Sequence, residues 1–172
     1  MKKEILLVPF DDVEMLDRLG DSLRSITSRN VEIYNGDANI SAKTRMHFGE
    51  IQFLASDFLN RTLQIRRNED FKHALGIVDK DLFAPRLNFV FGIASRSARA
   101  CVISVTRLKA SAPDTYFDRI LKEAVHELGH SMYGLDHCDT PDCVMWFSNS
   151  LSETDYKRPT YCENCMEKIK KI

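Results

Sequence analysis

The chain has 172 residues, enough for one domain with a self-supporting core. Hydrophobic residues make up 44% and charged residues 28%, which excludes a disordered chain. With 24 basic against 25 acidic side chains the net charge is −1, so the basic footprint of a non-specific nucleic-acid binder is missing.

The elements follow in chain order. Glu4–Phe10 reads as a first strand. Its apolar run Ile5-Leu6-Leu7-Val8 is too short for a membrane span or a signal peptide core. With no targeting segment visible, the sequence predicts a cytoplasmic protein without membrane association. Asp12 is placed to cap a helix over Val13–Ser25, with Val13, Leu16, Leu19 and Leu23 on one face. Val31–Tyr34 alternates as a second strand and ends at Asn35-Gly36-Asp37. The near-helical recurrence of Ile51, Leu54, Phe58 and Ile65 predicts a helix over Glu50–Arg66, with basic residues at its end.

Ala74–Val78 is a third apolar run. Leu87–Ala94 and Ala100–Leu108 read as two further strands, close enough to pair as an antiparallel hairpin. Cys101, inside the second of these, fits a small buried side chain. Lys109–Thr115 reads as a loop, Tyr116–Tyr133 as a helix and Glu163–Ile172 as a final helix. The order implies a mixed α/β sheet followed by a helix and a cysteine-rich tail.

The chemistry concentrates in His126-Glu127-Leu128-Gly129-His130. Positions i and i+4 share a helix face, so both imidazoles reach one metal ion. Glu127 lies about 100° around the helix from His126, near enough to take a proton from a water at that ion. Two histidines leave a catalytic zinc one protein ligand short. On a straight helix His137 would lie about 16 Å along the axis from His126, out of reach. Gly134 can adopt a left-handed conformation, end the helix and let the chain turn back to bring His137 in. Farther on, Cys138, Cys143, Cys162 and Cys165 crowd the tail. Four thiolates suit a closed tetrahedral zinc site of structural type.

These residues carry a resemblance. His126-Glu127-x-x-His130…Gly134-x-x-His137 followed by Met145 resembles the metzincin clan of zinc peptidases. Cys138, Cys143, Met145 and Cys162-x-x-Cys165 narrow it to the archaemetzincin family. The resemblance extends through Asp79-x-Asp81-Leu82, Leu87–Gly92 and Val105-x-Arg107-Leu108, and so covers most of the chain.

Two departures stand out. Three residues, Ser131, Met132 and Tyr133, separate the second histidine from the glycine where the clan has two. The regular third-ligand slot is therefore Asp136, although His137 directly precedes Cys138 as the family pattern requires, and both remain candidates. One residue fewer than usual separates Met145 from Cys162, which a loop absorbs.

The resemblance implies a single metzincin-like catalytic domain over 1–172. A mixed five-stranded twisted sheet and two helices precede the zinc helix, which closes the 1–133 part. The 134–172 part is held by the four-cysteine zinc site. It implies two zinc ions: one catalytic, on His126, His130 and His137, and one structural, on Cys138, Cys143, Cys162 and Cys165. Glu127 would be general base, and Met145 the Met-turn beneath the imidazoles. In some metzincins a tyrosine two places after that methionine assists the metal; here that place holds Phe147. Tyr133, Tyr156 and Tyr161 are the remaining candidates for stabilising an oxyanion. Trp146 and Phe147 are expected to line the pocket for the residue after the cut. Phe89, Val90, Phe91 and Gly92, in an upper edge strand, are expected to pair with an extended peptide. The implied function is a zinc metallopeptidase acting as a monomer on peptides or proteins, with aminopeptidase-like and endopeptidase modes both open. The alternative is a zinc-stabilised peptide- or protein-binding protein with little turnover.

Overall fold

The structure is a computed structural model that describes residues 3–172. Five strands form the main sheet: β1 (Ile5–Pro9), β2 (Val31–Ile33), β5 (His73–Val78), β7 (Gly92–Ser95) and β8 (Ala100–Ser104). Their order is β2-β1-β5-β8-β7, all parallel except β7, which runs antiparallel to β8 and forms an edge. A smaller sheet joins β3 (Thr44–His47), β4 (Glu50–Leu54) and β6 (Leu82–Phe83).

The alternation of side chains along the strands builds three layers. Ile5, Leu7, Leu75, Ile77, Cys101 and Ile103 face α1 (Leu16–Thr27) and α3 (Pro113–Tyr133) in the largest core cluster. Leu6, Val8 and Ala74 face the other way, and Ile65 of α2 (Ala55–Asn68) packs on them. Cys101 is fully buried. Two short helices, α4 (Leu151–Tyr156) and α5 (Glu163–Lys170), complete the chain.

The mixed five-stranded sheet, the two helices before α3, the β7–β8 hairpin and the buried Cys101 follow the sequence expectation. Several boundaries differ. Asp12 caps nothing; α1 begins after Met15, which takes a left-handed conformation (φ 67°). Residues 50–54 are strand, not helix: the turn Phe48-Gly49 (φ 48° and 83°) folds β4 back on β3, and Ile51 is exposed. The strand beginning at Ala100 ends at Ser104 in a 3-10 turn over Thr106–Leu108, because Thr106 Oγ1 donates to Asp79 Oδ1 (2.9 Å). The edge strand starts at Gly92 rather than Leu87; upstream, Val90 makes an isolated bridge to Leu82. The helix expected from Tyr116 begins at Pro113, where a missing N–H costs nothing.

The motif residues flanking the cleft join one another. Asp81 accepts two bonds from Arg107 (2.6 and 2.8 Å) and one from the fully buried Gln52 (3.0 Å). Gln52 also donates to the Asn88 carbonyl (2.8 Å), and the Arg107 guanidinium lies 4.1 Å from the Phe89 ring centroid. This network braces the segment that leads into β7.

Candidate metal centre and catalytic cleft

Helix α3 carries His126, Glu127 and His130 and ends at Gly134 (φ 61°, ψ 30°). Gly134 N donates to His130 O (3.0 Å) and Leu135 N to Gly129 O (3.1 Å), the paired bonds of a glycine helix stop. The extra residue before the glycine is thus absorbed as helix. The chain then turns back, and His137 joins the other two histidines, with ring centroids 5.3 Å from His126 and 5.0 Å from His130. One ring nitrogen from each of the three lies within 4.8 Å of the others. Asp136 is exposed and outside that group.

Backbone carbonyls set the tautomers, since a carbonyl can only accept. His126 Nδ1 donates to Val144 O (2.7 Å) and His130 Nδ1 to Leu135 O (2.5 Å). The protons are thereby committed, and both Nε2 atoms present lone pairs to each other at 3.1 Å. That close approach is unfavourable between two lone pairs and suits a shared cation; tetrahedral zinc with Zn–N of about 2.0–2.1 Å sets its nitrogens at roughly this separation. Burial pushes the His126 pKa down to about 3, with the Lys157 charge adding to the effect. Burial also lowers His130 and His137. All three imidazoles are therefore neutral at pH 7, as metal ligands must be.

Met145 lies directly under the helix. A Cβ at Gly129 would stand 2.4 Å from Met145 Sδ, so only glycine leaves room for this floor. The tail group is equally compact. Cys138 Sγ lies 3.6 Å from Cys162 Sγ, and Cys143 Sγ 3.9 Å from Cys165 Sγ, with all four inside 4.8 Å and none in a disulfide. With Zn–S of about 2.3 Å, tetrahedral thiolates fall close to this spacing. Backbone N–H groups of Thr140 and Cys162 donate to Cys138 and Cys143 sulfur (3.4 and 3.3 Å), which favours thiolate.

A cavity of about 450 Å³ opens over the histidines. Phe89, Val90, Phe91 and Gly92 line one side and Phe147 the other, its ring 4.9 Å from His137. Glu127 also lines it. Burial pushes its pKa well above the usual carboxylate range; Glu123 adds to the rise and Lys157 opposes it.

Trp146 departs from expectation: it is not among the lining residues and packs on Tyr156 at 6.5 Å. Nor does any of the three candidate tyrosines line the cavity. Tyr161 is turned away and donates to Val125 O (2.9 Å), Tyr133 packs on Tyr161 and Tyr156 is exposed.

Sequence reasoning missed Glu123, Lys157, Ser148 and Asn149, all of which line the cavity. Glu123 was findable, one turn before Glu127 on the same face. Lys157 carries no local signal. Its side chain is 1% exposed, with Nζ 3.8 Å from Glu123 Oε1 and donating to Trp146 O (3.3 Å).

Comparison with known proteins identifies the family and the fold. The profile of Peptidase family M54 matches residues 12–171. The archaemetzincin of Pyrococcus abyssi is 39% identical over 97% of this chain and 94% of its own length. That of Methanopyrus kandleri is 38% identical over 98% and 96%. The crystal structure of the Methanopyrus kandleri archaemetzincin superimposes with a TM-score of 0.84 at 35% identity, covering 99% of this chain and 94% of that one. The archaemetzincin of Archaeoglobus fulgidus complexed with malonate gives 0.81 at 32%, covering 96% and 99%.

Proposed function

The chain belongs to peptidase family M54, and from that premise we propose how its residues perform the work of a zinc metallopeptidase on peptide or protein substrates. His126, His130 and His137 hold the catalytic zinc, and Cys138, Cys143, Cys162 and Cys165 hold a second, structural one. The observation that carries the reading is the convergence of two deprotonated Nε2 atoms at 3.1 Å while their Nδ1 protons are held by Val144 and Leu135.

A zinc ion held by these histidines would supply Lewis acidity, lowering the pKa of a water toward about 7 and polarising a scissile carbonyl. Glu127 takes the proton of the attacking water and returns it to the leaving amine. Its burial raises its affinity for that proton. Met145, packed against Gly129 of the same helix, serves as the Met-turn. The edge strand β7 and the Phe89–Gly92 segment before it line up an extended peptide, and Phe147 walls the cavity next to His137. One chain holds every residue that this chemistry uses, so a monomer built on one domain would suffice as the catalytic unit, with the 134–172 part supplying His137, the Met-turn and the cysteine group. Four cysteines grouped for a metal and a fifth, Cys101, buried outside any disulfide fit a reducing compartment such as the cytoplasm.

Metal content per chain tests the assignment. Two zinc ions in the wild type should fall to one in His130→Ala. Glu127→Ala should keep both and lose about 10²–10⁴-fold in hydrolysis of a peptide library. Hydrolysis that survives Glu127→Ala would overturn the role of Glu127. A zinc-replete wild type that cleaves nothing in the library would instead favour a peptide-binding protein.

A further inference from the structure

A second cavity, of about 400 Å³, lies at the end of the sheet where β5 and β8 begin. It is lined by His73, Arg96, Ser97, Arg99, Ser131 and Met132. None of these takes part in the chemistry described above.

Three of them come from the β7–β8 turn, and that turn is firmly built. Ala98 N donates to Ser95 Oγ (3.2 Å) and Arg99 N to Arg96 O (3.1 Å). Arg99 holds a left-handed backbone (φ 51°), and its carbonyl accepts from Ala74 N (3.1 Å). Arg96 lies flat against Gly134, where a Cβ would meet its Cζ at 2.5 Å. Both arginines are thus rooted in an ordered turn, with their side chains exposed. Among the described residues neither has a carboxylate partner.

The surroundings are cationic as well. Burial and the fields of Arg29, Arg99, Arg66 and Lys72 hold the His73 pKa down to about 4. Its Nδ1 is buried without a hydrogen-bond partner. The carboxylate of Glu4 is already shared between Arg29 (3.1 Å) and Lys72 (3.8 Å). The Ser131 hydroxyl is buried in the inner wall beside the Cys101 thiol.

Unpaired planar guanidinium forks, hydroxyl donors and a neutral imidazole around one polar cavity match one ligand chemistry. We propose that this cavity binds a phosphate-class oxyanion, with Arg96 and Arg99 as charged donors and Ser97 and His73 as neutral ones. Chloride, a single acceptor atom of one charge, gains less from such a donor set than a phosphate with its several oxygens. Free phosphate and a phosphomonoester of a small molecule share this chemistry, and titration with both separates them. Arg96 also faces the negative end of α3, a sufficient structural reason for one arginine. That reason does not extend to Arg99, whose substitution therefore separates ligand binding from helix capping.

The test is calorimetric titration of the zinc-loaded protein with inorganic phosphate and with ribose 5-phosphate, at constant ionic strength set by sodium chloride. One saturable site is expected, weakened about tenfold by Arg99→Ala, as for loss of one charge-assisted donor, and abolished in Arg96→Ala/Arg99→Ala. Tighter binding of ribose 5-phosphate identifies a phosphomonoester as the occupant; equal affinity identifies free phosphate. Binding that persists unchanged in Arg99→Ala and the double variant places the anion elsewhere, at the catalytic metal for example, and overturns the proposal. So does the lack of saturable binding by either probe. Thermal unfolding of Arg99→Ala, whose side chain is exposed, confirms that the comparison is made between folded proteins.

Discussion

Replacing Lys157 by methionine removes a buried cation and leaves Glu123 without its ion-pair partner, next to Glu127, whose raised pKa Lys157 also opposes. The two side chains are 1% and 5% exposed, and their charged atoms stand 3.8 Å apart. Burial moves both pKa values toward the neutral forms, Glu123 upward and Lys157 downward, so desolvation outweighs the attraction between them. Such a pair adds little to stability over an apolar replacement of similar volume, yet losing one member costs about 3–5 kcal/mol. Glu123 can limit the damage by taking a proton, which sets the expectation for Lys157→Met at about 3 kcal/mol, the lower end. In a chain of this size that lowers Tm by about 6–12 °C.

Adding Glu123→Gln should recover most of the loss. The deficit should also depend on pH. A carboxyl whose folded pKa is raised stabilises the fold fully below its unfolded pKa of about 4.5 and loses that contribution as pH rises toward the folded value. Lys157→Met should therefore come closest to the wild type near pH 4.5 and fall away above it. Thermal and urea unfolding of the four proteins of the cycle, zinc-loaded, at pH 5 and pH 8, reads all of this. A single variant costing under about 1 kcal/mol, or a double variant costing the sum of the singles, would refute the reasoning.

Three further substitutions probe the close contacts. Gly129→Ala drives a methyl into Met145 Sδ and should cost about 1–3 kcal/mol, with part recovered by Met145→Ala; an unchanged Tm would show that the floor can move aside. Gly92→Ala places a methyl 2.7 Å from Glu127 Oε1 and 2.8 Å from the Val102 carbonyl. Peptide hydrolysis should fall while zinc content stays at the wild-type value, and unimpaired turnover would remove Gly92 from the site. Cys162→Ser should release one metal ion per chain and make the 138–165 segment the first point of limited proteolysis, as should chelation of the wild type. Uniform cleavage across the chain would deny the tail group its structural role.

The sheet was legible because Ile5–Val8, Ala74–Val78 and Ala100–Ile103 are apolar on both faces, as strands covered by helices on each side must be. The β3–β4 hairpin was not. Ile51, Leu54, Phe58 and Ile65 keep a helical period across its second strand, but Ile51 is 55% exposed and takes no part in the core. The contrary signal is Gly49, whose φ of 83° closes the turn. Helix α4 carries a readable start in Ser150-x-x-Glu153: both halves of that capping box form, although the helix has only six residues. Where strand 100–104 stops is set by Asp79, far away in sequence, through its bond to Thr106.

The two candidate metal groups were legible for a different reason: five of their seven residues lie in the one stretch 126–143, whose spacing encodes its own geometry. His126, Glu127 and His130 need only a helix, and Gly134 only a left-handed turn. The cavity walls, by contrast, bring Glu123 and Lys157 together with the Phe89–Gly92 segment, and only the folded chain makes those contacts.

The tolerance for the one-residue shift follows from the same arrangement. Between His130 and Gly134 the chain is helix and nothing else, so an added residue lengthens α3 and delays the stop. Residues 143–146 have no such freedom. Cys143 joins the cysteine group, and the Val144 carbonyl orients His126. Met145 fills the space over Gly129 and accepts from Cys138 N (3.0 Å), while the Trp146 carbonyl takes the Lys157 ammonium (3.3 Å). Four consecutive residues each fix a different partner. A residue inserted there would pull the histidine and cysteine groups out of register together, whereas one inserted before Gly134 leaves both intact.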